Sequence, residues 1–345
     1  MSRSQKKTLL ILVVILLLLV IVLVAIQAGK RSSAQQAEEE AAAEEADSVI
    51  TEADAAYTAL SYNNGSATLS FQLDEAGNWV WADDPEFPLN DTTVQNILQL
   101  LTNLAPQQTI TEGDTLEAYG LDQPFATLTA TGSDGTTLTI ALGNTTTDGD
   151  SYYMLMNGQE SPVYIIADTL YNYMSTTIYD MCALPELPEL TEANILSVTV
   201  EGAVSTTLRA EDRETETDGD TGEETVTVTW TSGGEDVTEH DDVVSLLSDL
   251  ESMAIDKCVD YKPSDEAVTL CGFDAPRAVV TIVYETETGT EETLTLTFGG
   301  EALDEAGCYV RMEGDTTIYQ MSDSDVETIL AIGETGLTTG TEAAE

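Results

Sequence analysis

The sequence predicts an α+β protein: a single N-terminal transmembrane helix, then two tandem repeats of an antiparallel-sheet module with packed helices. Three observations carry this expectation. An uncharged apolar run stands near the start, Thr-rich runs alternate polar with apolar residues between Gly-containing turns, and a set of motifs recurs further along the chain.

The apolar run, TLLILVVILLLLVIVLVAIQA from Thr8 to Ala28, carries no charge. At a rise of about 1.5 Å per residue it covers about 32 Å, enough to cross a bilayer's hydrocarbon. Arg3, Lys6 and Lys7 precede it and Lys30 and Arg31 follow before an acidic stretch. That balance of basic residues favours a cytoplasmic N-terminus and an extracytoplasmic remainder, with residues 1–31 as cytoplasmic tip and anchor and the lipid bilayer as partner through residues 8–28. The competing reading is a cleaved signal peptide, because Ile26-Gln27-Ala28 has the look of a small-residue cleavage site. Its apolar region would exceed the usual roughly 7–15 residues.

Residues 32–50, SSAQQAEEEAAAEEADSVI, read as an acidic stalk. Two modules are expected at 51–181 and 191–332, joined by a Pro-rich linker at 182–190, with a disordered tail at 333–345. The repeat is the basis. Tyr119-Gly120-Leu121-Asp122-Gln123-Pro124 is echoed by Cys271-Gly272-Phe273-Asp274-Ala275-Pro276. Each is followed by two strand-like runs, FATLTAT and TTLTIALGN in the first copy, AVVTIVYET and ETLTLTFGG in the second. Each copy closes on a short strand leading into a helix opened by an Asp or Ser cap. Upstream, Trp81 and Trp230 end matching strands. Each precedes a helix with apolar residues at helical spacing: Val94, Ile97, Leu98 and Leu101, then Val243, Leu246, Leu247 and Leu250. Turn signals such as Asn64-Gly65 and Asp134-Gly135 point to antiparallel hairpins.

Charge narrows the function. The net charge is −52, and after Arg31 the only basic residues are Arg209, Arg213, Lys257, Lys262, Arg277 and Arg311. Phosphate binding needs Lys and Arg to displace counterions, so nucleic acid is excluded as a partner. Dispersed carboxylates keep an exported domain soluble, and they can also attract cations or a basic partner.

The order of an N-terminal apolar span, NWVWADDPEFPLN, a helix, YGLDQP, GTTLTIALGN, YYMLMNG and VYIIADTLY resembles the bacterial family known as domain of unknown function 4340, over most of the chain. In the second copy Cys271 stands for Tyr and Phe273 for Leu, and the DDPEFPL stretch is missing. The resemblance implies an exported, membrane-tethered protein, often encoded beside ABC-type transporters related to gliding-motility systems, with transporter subunits as partners. It brings no catalytic residues. Trp81, Gly120, Leu121, Asp122 and Pro124 read as structural, a turn feeding a strand and a large side chain to bury.

The search for reactive groups returns little. The one histidine, His240, precedes a helix and reads as a loop or capping residue. No G-x-S-x-G elbow, P-loop, dinucleotide fingerprint or Cys/His zinc spacing occurs. A carboxylate pair for glycoside hydrolysis can be drawn in many ways from 63 acidic residues, so none is singled out. Asp212 to Glu224 and Asp148-Gly149-Asp150 could hold calcium but lack EF-hand spacing and read as solvated hairpin tips. Four cysteines, Cys182, Cys258, Cys271 and Cys308, permit disulfides in an exported domain, with Cys258 and Cys271 the expected pair and buried free thiols the alternative. The expectation is a non-enzymatic, membrane-anchored accessory or interaction protein with no catalytic, cofactor-binding or metal residues. Its rivals are a binding module for an extracellular ligand, such as cell-wall polymer or calcium, and a hydrolase.

Overall fold

The computed structural model describes residues 49–51, 56–217, 224–304 and 306–338. The expected span 8–28 and nearly all of the expected stalk 32–50 lie outside them, and no helix among the described residues is long and apolar enough to cross a membrane. The chain forms two compact units, Met1–Asn78 with Thr93–Ser175, and Trp79–Thr92 with Thr176–Glu345.

The first sheet has eight strands: β1 (Tyr57–Asn63), β2 (Thr68–Leu73), β3 (Trp79–Trp81), β4 (Gln108–Ile110), β5 (Ala126–Gly132), β6 (Thr137–Thr145), β7 (Ser151–Met156) and β8 (Val163–Ala167). Their order is β3-β2-β1-β5-β6-β7-β8-β4. Alternation makes this sheet two-faced. β5 turns Ala126, Leu128 and Ala130 inward between threonines, and its neighbour β1 sets Leu60 opposite Ala130 and Tyr62 opposite Leu128. Helix α1 (Thr92–Thr102) buries Val94, Ile97 and Leu101, as their spacing requires. The Asp134-Gly135 turn joins β5 to β6, with Gly135 at φ 84° and the Asp134 carboxylate accepting from the Thr136 amide at 2.9 Å. After β8 comes α2 (Thr169–Met174), for which Asp168 was the expected cap. Asp168 already has helical dihedrals, φ −65° and ψ −14°, and its side chain makes no capping bond.

The second sheet has nine strands: β9 (Ile195–Glu201), β10 (Ser205–Thr217), β11 (Glu224–Ser232), β12 (Glu235–Asp236), β13 (Lys257–Asp260), β14 (Ala278–Glu285), β15 (Glu291–Glu301), β16 (Cys308–Met312) and β17 (Ile318–Met321). The order β12-β11-β10-β9-β14-β15-β16-β17-β13 matches the first sheet strand for strand, with β12 added at one edge. Helices α3 (Asp241–Ser252) and α5 (Asp323–Thr335) pack on one face, and a short α4 (Asp265–Leu270) precedes the CGFDAP turn. Trp230, Val198, Val200, Val280, Ile282, Leu246 and Ile329 fill the core at 0–1% exposure. The Trp230 indole N–H donates to the Glu192 carboxylate at 3.1 Å, so its one polar atom is satisfied.

Two stretches join this unit in ways the sequence pattern did not suggest. The first is the DDPEFPL stretch. Phe87, 3% exposed, packs edge-on against Trp81 at 5.5 Å and Tyr261 at 5.2 Å, while the Lys262 ammonium meets the Asp84 carboxylate at 2.6 Å. The second is the Pro-rich linker, a packed strap. Leu190 is buried, Leu184 and Leu187 pack on the same core, and the Ala183 amide donates to the Pro88 carbonyl at 2.6 Å.

Of the tail expected at 333–345, residues 333–338 are described and 339–345 lie outside the described residues. Gly333 to Thr335 complete α5, and a Cβ placed on Gly202 would meet the Gly333 carbonyl oxygen at 2.4 Å, so the helix end sits directly on the chain after β9. Thr338 is then held by Asp242, whose carboxylate accepts its amide and hydroxyl at 2.7 Å each.

Candidate functional site

In the first unit the YGLDQP turn folds back onto β6. Gly120 takes φ 69°, the Leu121 amide donates to the Leu116 carbonyl at 2.8 Å, and the Asn144 amide donates to the Tyr119 carbonyl at 2.8 Å. The turn comes this close because Gly143 beneath it has no side chain: a Cβ there would stand 2.2 Å from the Tyr119 oxygen. Leu121 is thereby pressed onto Leu155 and Val163, with the Tyr119 and Tyr153 rings 4.6 Å apart beside them.

A groove of about 650 Å³ opens next to this cluster. Its floor is the outward row of the central strands. Thr129 lies opposite Thr139 and Thr127 opposite Ala141 in the β5–β6 register, and Ala141 is in turn opposite Leu155 on β7. Asp122 and the Gly158–Glu160 loop form its walls. Threonine hydroxyls both donate and accept, the Leu and Ala carbons give an apolar strip, and two carboxylates add negative charge. This chemistry suits an extended or flat segment of chain with a positive charge. It contains no nucleophile paired with a base.

The second unit repeats the turn and changes the face. The Gly300 amide donates to the Cys271 carbonyl at 2.7 Å, and a Cβ on Gly299 would stand 2.2 Å from that oxygen. Where the first copy has Leu121 and Leu155, the second has Phe273 and Arg311, with the guanidinium 5.6 Å from the ring centre. The Arg311 Nε is buried without a hydrogen-bond partner.

The residues weighed from sequence fall elsewhere. His240 is the α3 cap: its Nδ1 accepts from the Asp242 amide at 3.2 Å, which places the proton on Nε2, 2.6 Å from the Thr338 carbonyl oxygen. Asp148 accepts from the Thr146 hydroxyl and the Asp150 amide within its hairpin tip, and those bonds hold its carboxyl below the usual range. The Asp212 to Glu224 run is only partly described, residues 218–223 lying outside. Among the described residues no group of three or more His, Cys, Asp or Glu is arranged to hold a metal ion.

The expected Cys258–Cys271 pair is not formed, and all four thiols are free. Cys258 points into the main core, whereas Cys271 joins Ala302, Tyr309 and Ile318 on the opposite face of the sheet. The cysteine beside Cys258 is Cys182, which ends a 3-10 turn, Tyr179–Met181, packed against β13, and the two share the main core. No spacing rule could have found it, since the contact depends on how the strap is seated.

Searches of curated proteins and of solved structures find no match. A family model does match, over residues 79–266 and again over 230–332. The two matches begin at Trp79 and Trp230, in the corresponding strands β3 and β11 of the two sheets. With these matches spanning well over half of its length, the chain belongs to the family described as domain of unknown function (DUF4340).

Proposed function

We propose that this chain is a membrane-anchored, extracytoplasmic, non-catalytic interaction protein, and that the outer face of its first sheet receives a basic segment of a transport or envelope complex of the ABC type. The single observation that carries the reading is the groove itself, a Thr-lined floor between Leu121–Asp122 and Gly158–Glu160 whose groups suit recognition. The partner is basic because the chain's net charge of −52 would steer a positive surface toward it. The groove is a better candidate than the sheet edges. Edge strands β3, β4, β12 and β13 have 3, 3, 2 and 4 residues, too short a ladder for strand addition. In this reading residues 8–28 hold the chain in the bilayer with the bulk of it outside.

The test is affinity purification of the full chain from detergent-solubilised membranes, beside Ala141→Arg, which sets a long cation on the groove floor. Recovery of transporter subunits by the wild type, lost in the variant, is the expected result. Recovery of cell-wall polymer instead, or of transporter subunits equally by both proteins, would overturn the proposal.

A further inference from the structure

The strap that follows the first unit ends a 3-10 turn, Tyr179–Met181, at Cys182. The turn lies against β13, and the Tyr179 hydroxyl donates to the Asp260 carboxylate at 3.2 Å. Strap and DDPEFPL stretch are tied together beside it: Cys182 is bridged to Leu89, and the Asn90 amide donates to the Met181 carbonyl at 2.7 Å. Cys182 and Cys258 are both buried, 5% and 4% exposed, in the same core cluster. Cys182 thus stands at the end of a turn packed on the strand that holds Cys258, and the remaining two cysteines are set apart: Cys271 packs with a separate cluster, and Cys308, in the same core, lies on β16 with β17 between it and β13.

We propose that Cys182 and Cys258 are a disulfide-forming site, and that the bond fastens the strap, and through it the DDPEFPL stretch, to β13. The co-reactant is a small disulfide such as glutathione disulfide. One cysteine, as thiolate, attacks a sulfur of that disulfide, forming a mixed disulfide and expelling one glutathione thiolate. The other then attacks the protein sulfur of the mixed disulfide and expels the second. Two protein thiols are oxidised, one disulfide is reduced to two thiols, and the two protons leave on those thiols or on solvent.

The bond would close a loop containing the whole β9–α3 segment, so it restricts the unfolded chain strongly. It would also give the strap a covalent hold where it now has packing and backbone bonds.

The experiment uses the full chain in detergent, refolded from urea in a glutathione redox buffer, alkylated without reduction, digested and mapped by mass spectrometry. The expected result is a linked peptide pair holding Cys182 and Cys258, with Cys271 and Cys308 alkylated. Alkylation of all four, or a link through Cys271 or Cys308, overturns the proposal. The oxidised protein should melt on the order of 10 °C above the reduced one. Cys258→Ser should abolish that difference and Cys271→Ser should keep it. A bond that forms without raising the melting temperature overturns the clamping role. Because the peptide map needs only the wild type, poor folding of a variant leaves it decisive.

Discussion

The Tyr119 carbonyl accepts the Asn144 amide at 2.8 Å across a gap that only a glycine at position 143 leaves open. The second unit builds the same contact from Cys271 and Gly300 at 2.7 Å over Gly299, although the ring has become a thiol. The turn is thus specified by its backbone and by the bare strand beneath it, while the first side chain of the motif is free to change.

Two adjacent glycines test this. Gly299→Ala would place a Cβ 2.2 Å from the Cys271 oxygen, a backbone atom that cannot swing aside, whereas at Gly300 the same oxygen is 3.6 Å away. Gly299→Ala should destabilise the second unit by about 1–3 kcal/mol, as overpacking does. Gly300→Ala should cost less than about 0.5 kcal/mol. Urea titration followed by circular dichroism checks the ordering, and equal midpoints for the two variants would contradict it.

The DDPEFPL stretch separates apolar from ionic contributions. Phe87 is buried between Trp81 and Tyr261, so Phe87→Ala should cost about 3–5 kcal/mol by lost burial and the cavity left. Lys262 is 53% exposed where it meets Asp84 and Glu86. Its loss should be small and should shrink further as salt is added, because an exposed pair is screened. Chemical denaturation at two ionic strengths distinguishes them; a Lys262→Ala effect as large as that of Phe87→Ala would show the ion pair to be the main fastening.

Much of this architecture is legible in the residues. Alternation in ATLTATG and AVVTIVYE fixes which face each strand buries, and Val94, Ile97 and Leu101 fix the buried side of α1. The Gly120 and Gly272 turns can be recognised because Gly and Pro constrain the chain locally. What escapes is set by contacts distant in sequence. The grouping of Phe87 with Tyr261 and of Cys182 with Cys258 depends on tertiary placement, which neither spacing nor periodicity encodes. Gly333 reads as the start of a polar tail because Glu and Thr follow it, yet its small size lets α5 approach Val200 and Ala278. The groove was invisible for another reason: Thr127, Thr129 and Thr139 follow the same pattern as any solvated sheet face.

Two aspartates of the second unit should show opposite pH dependence. Burial pushes the Asp315 carboxyl up, but the Thr317 amide and Tyr319 hydroxyl, each donating at 2.8 Å, outweigh it and hold the group below its ordinary value. A depressed folded pKa means that the unfolded chain binds the proton more readily. The stabilisation is therefore complete above the ordinary carboxylate pKa of about 3.9 and is lost as pH falls through the folded value. Asp315→Asn should cost about 1–2 kcal/mol at pH 7, for the loss of a hydrogen bond to a charged acceptor, and should flatten the acid limb of the stability profile. Asp256 is the reverse: its side chain is exposed, yet partial desolvation by its surroundings, then the nearby Asp325, raises it, so ionising it costs stability at every pH above its folded value. Asp256→Asn should stabilise the protein at pH 7, and the gain should vanish in acid, where wild-type Asp256 is protonated in both states. Denaturation midpoints from pH 3 to pH 8 read both effects, and an Asp256→Asn protein no more stable than wild type at pH 7 would show that the surrounding hydrogen bonds already offset the charge.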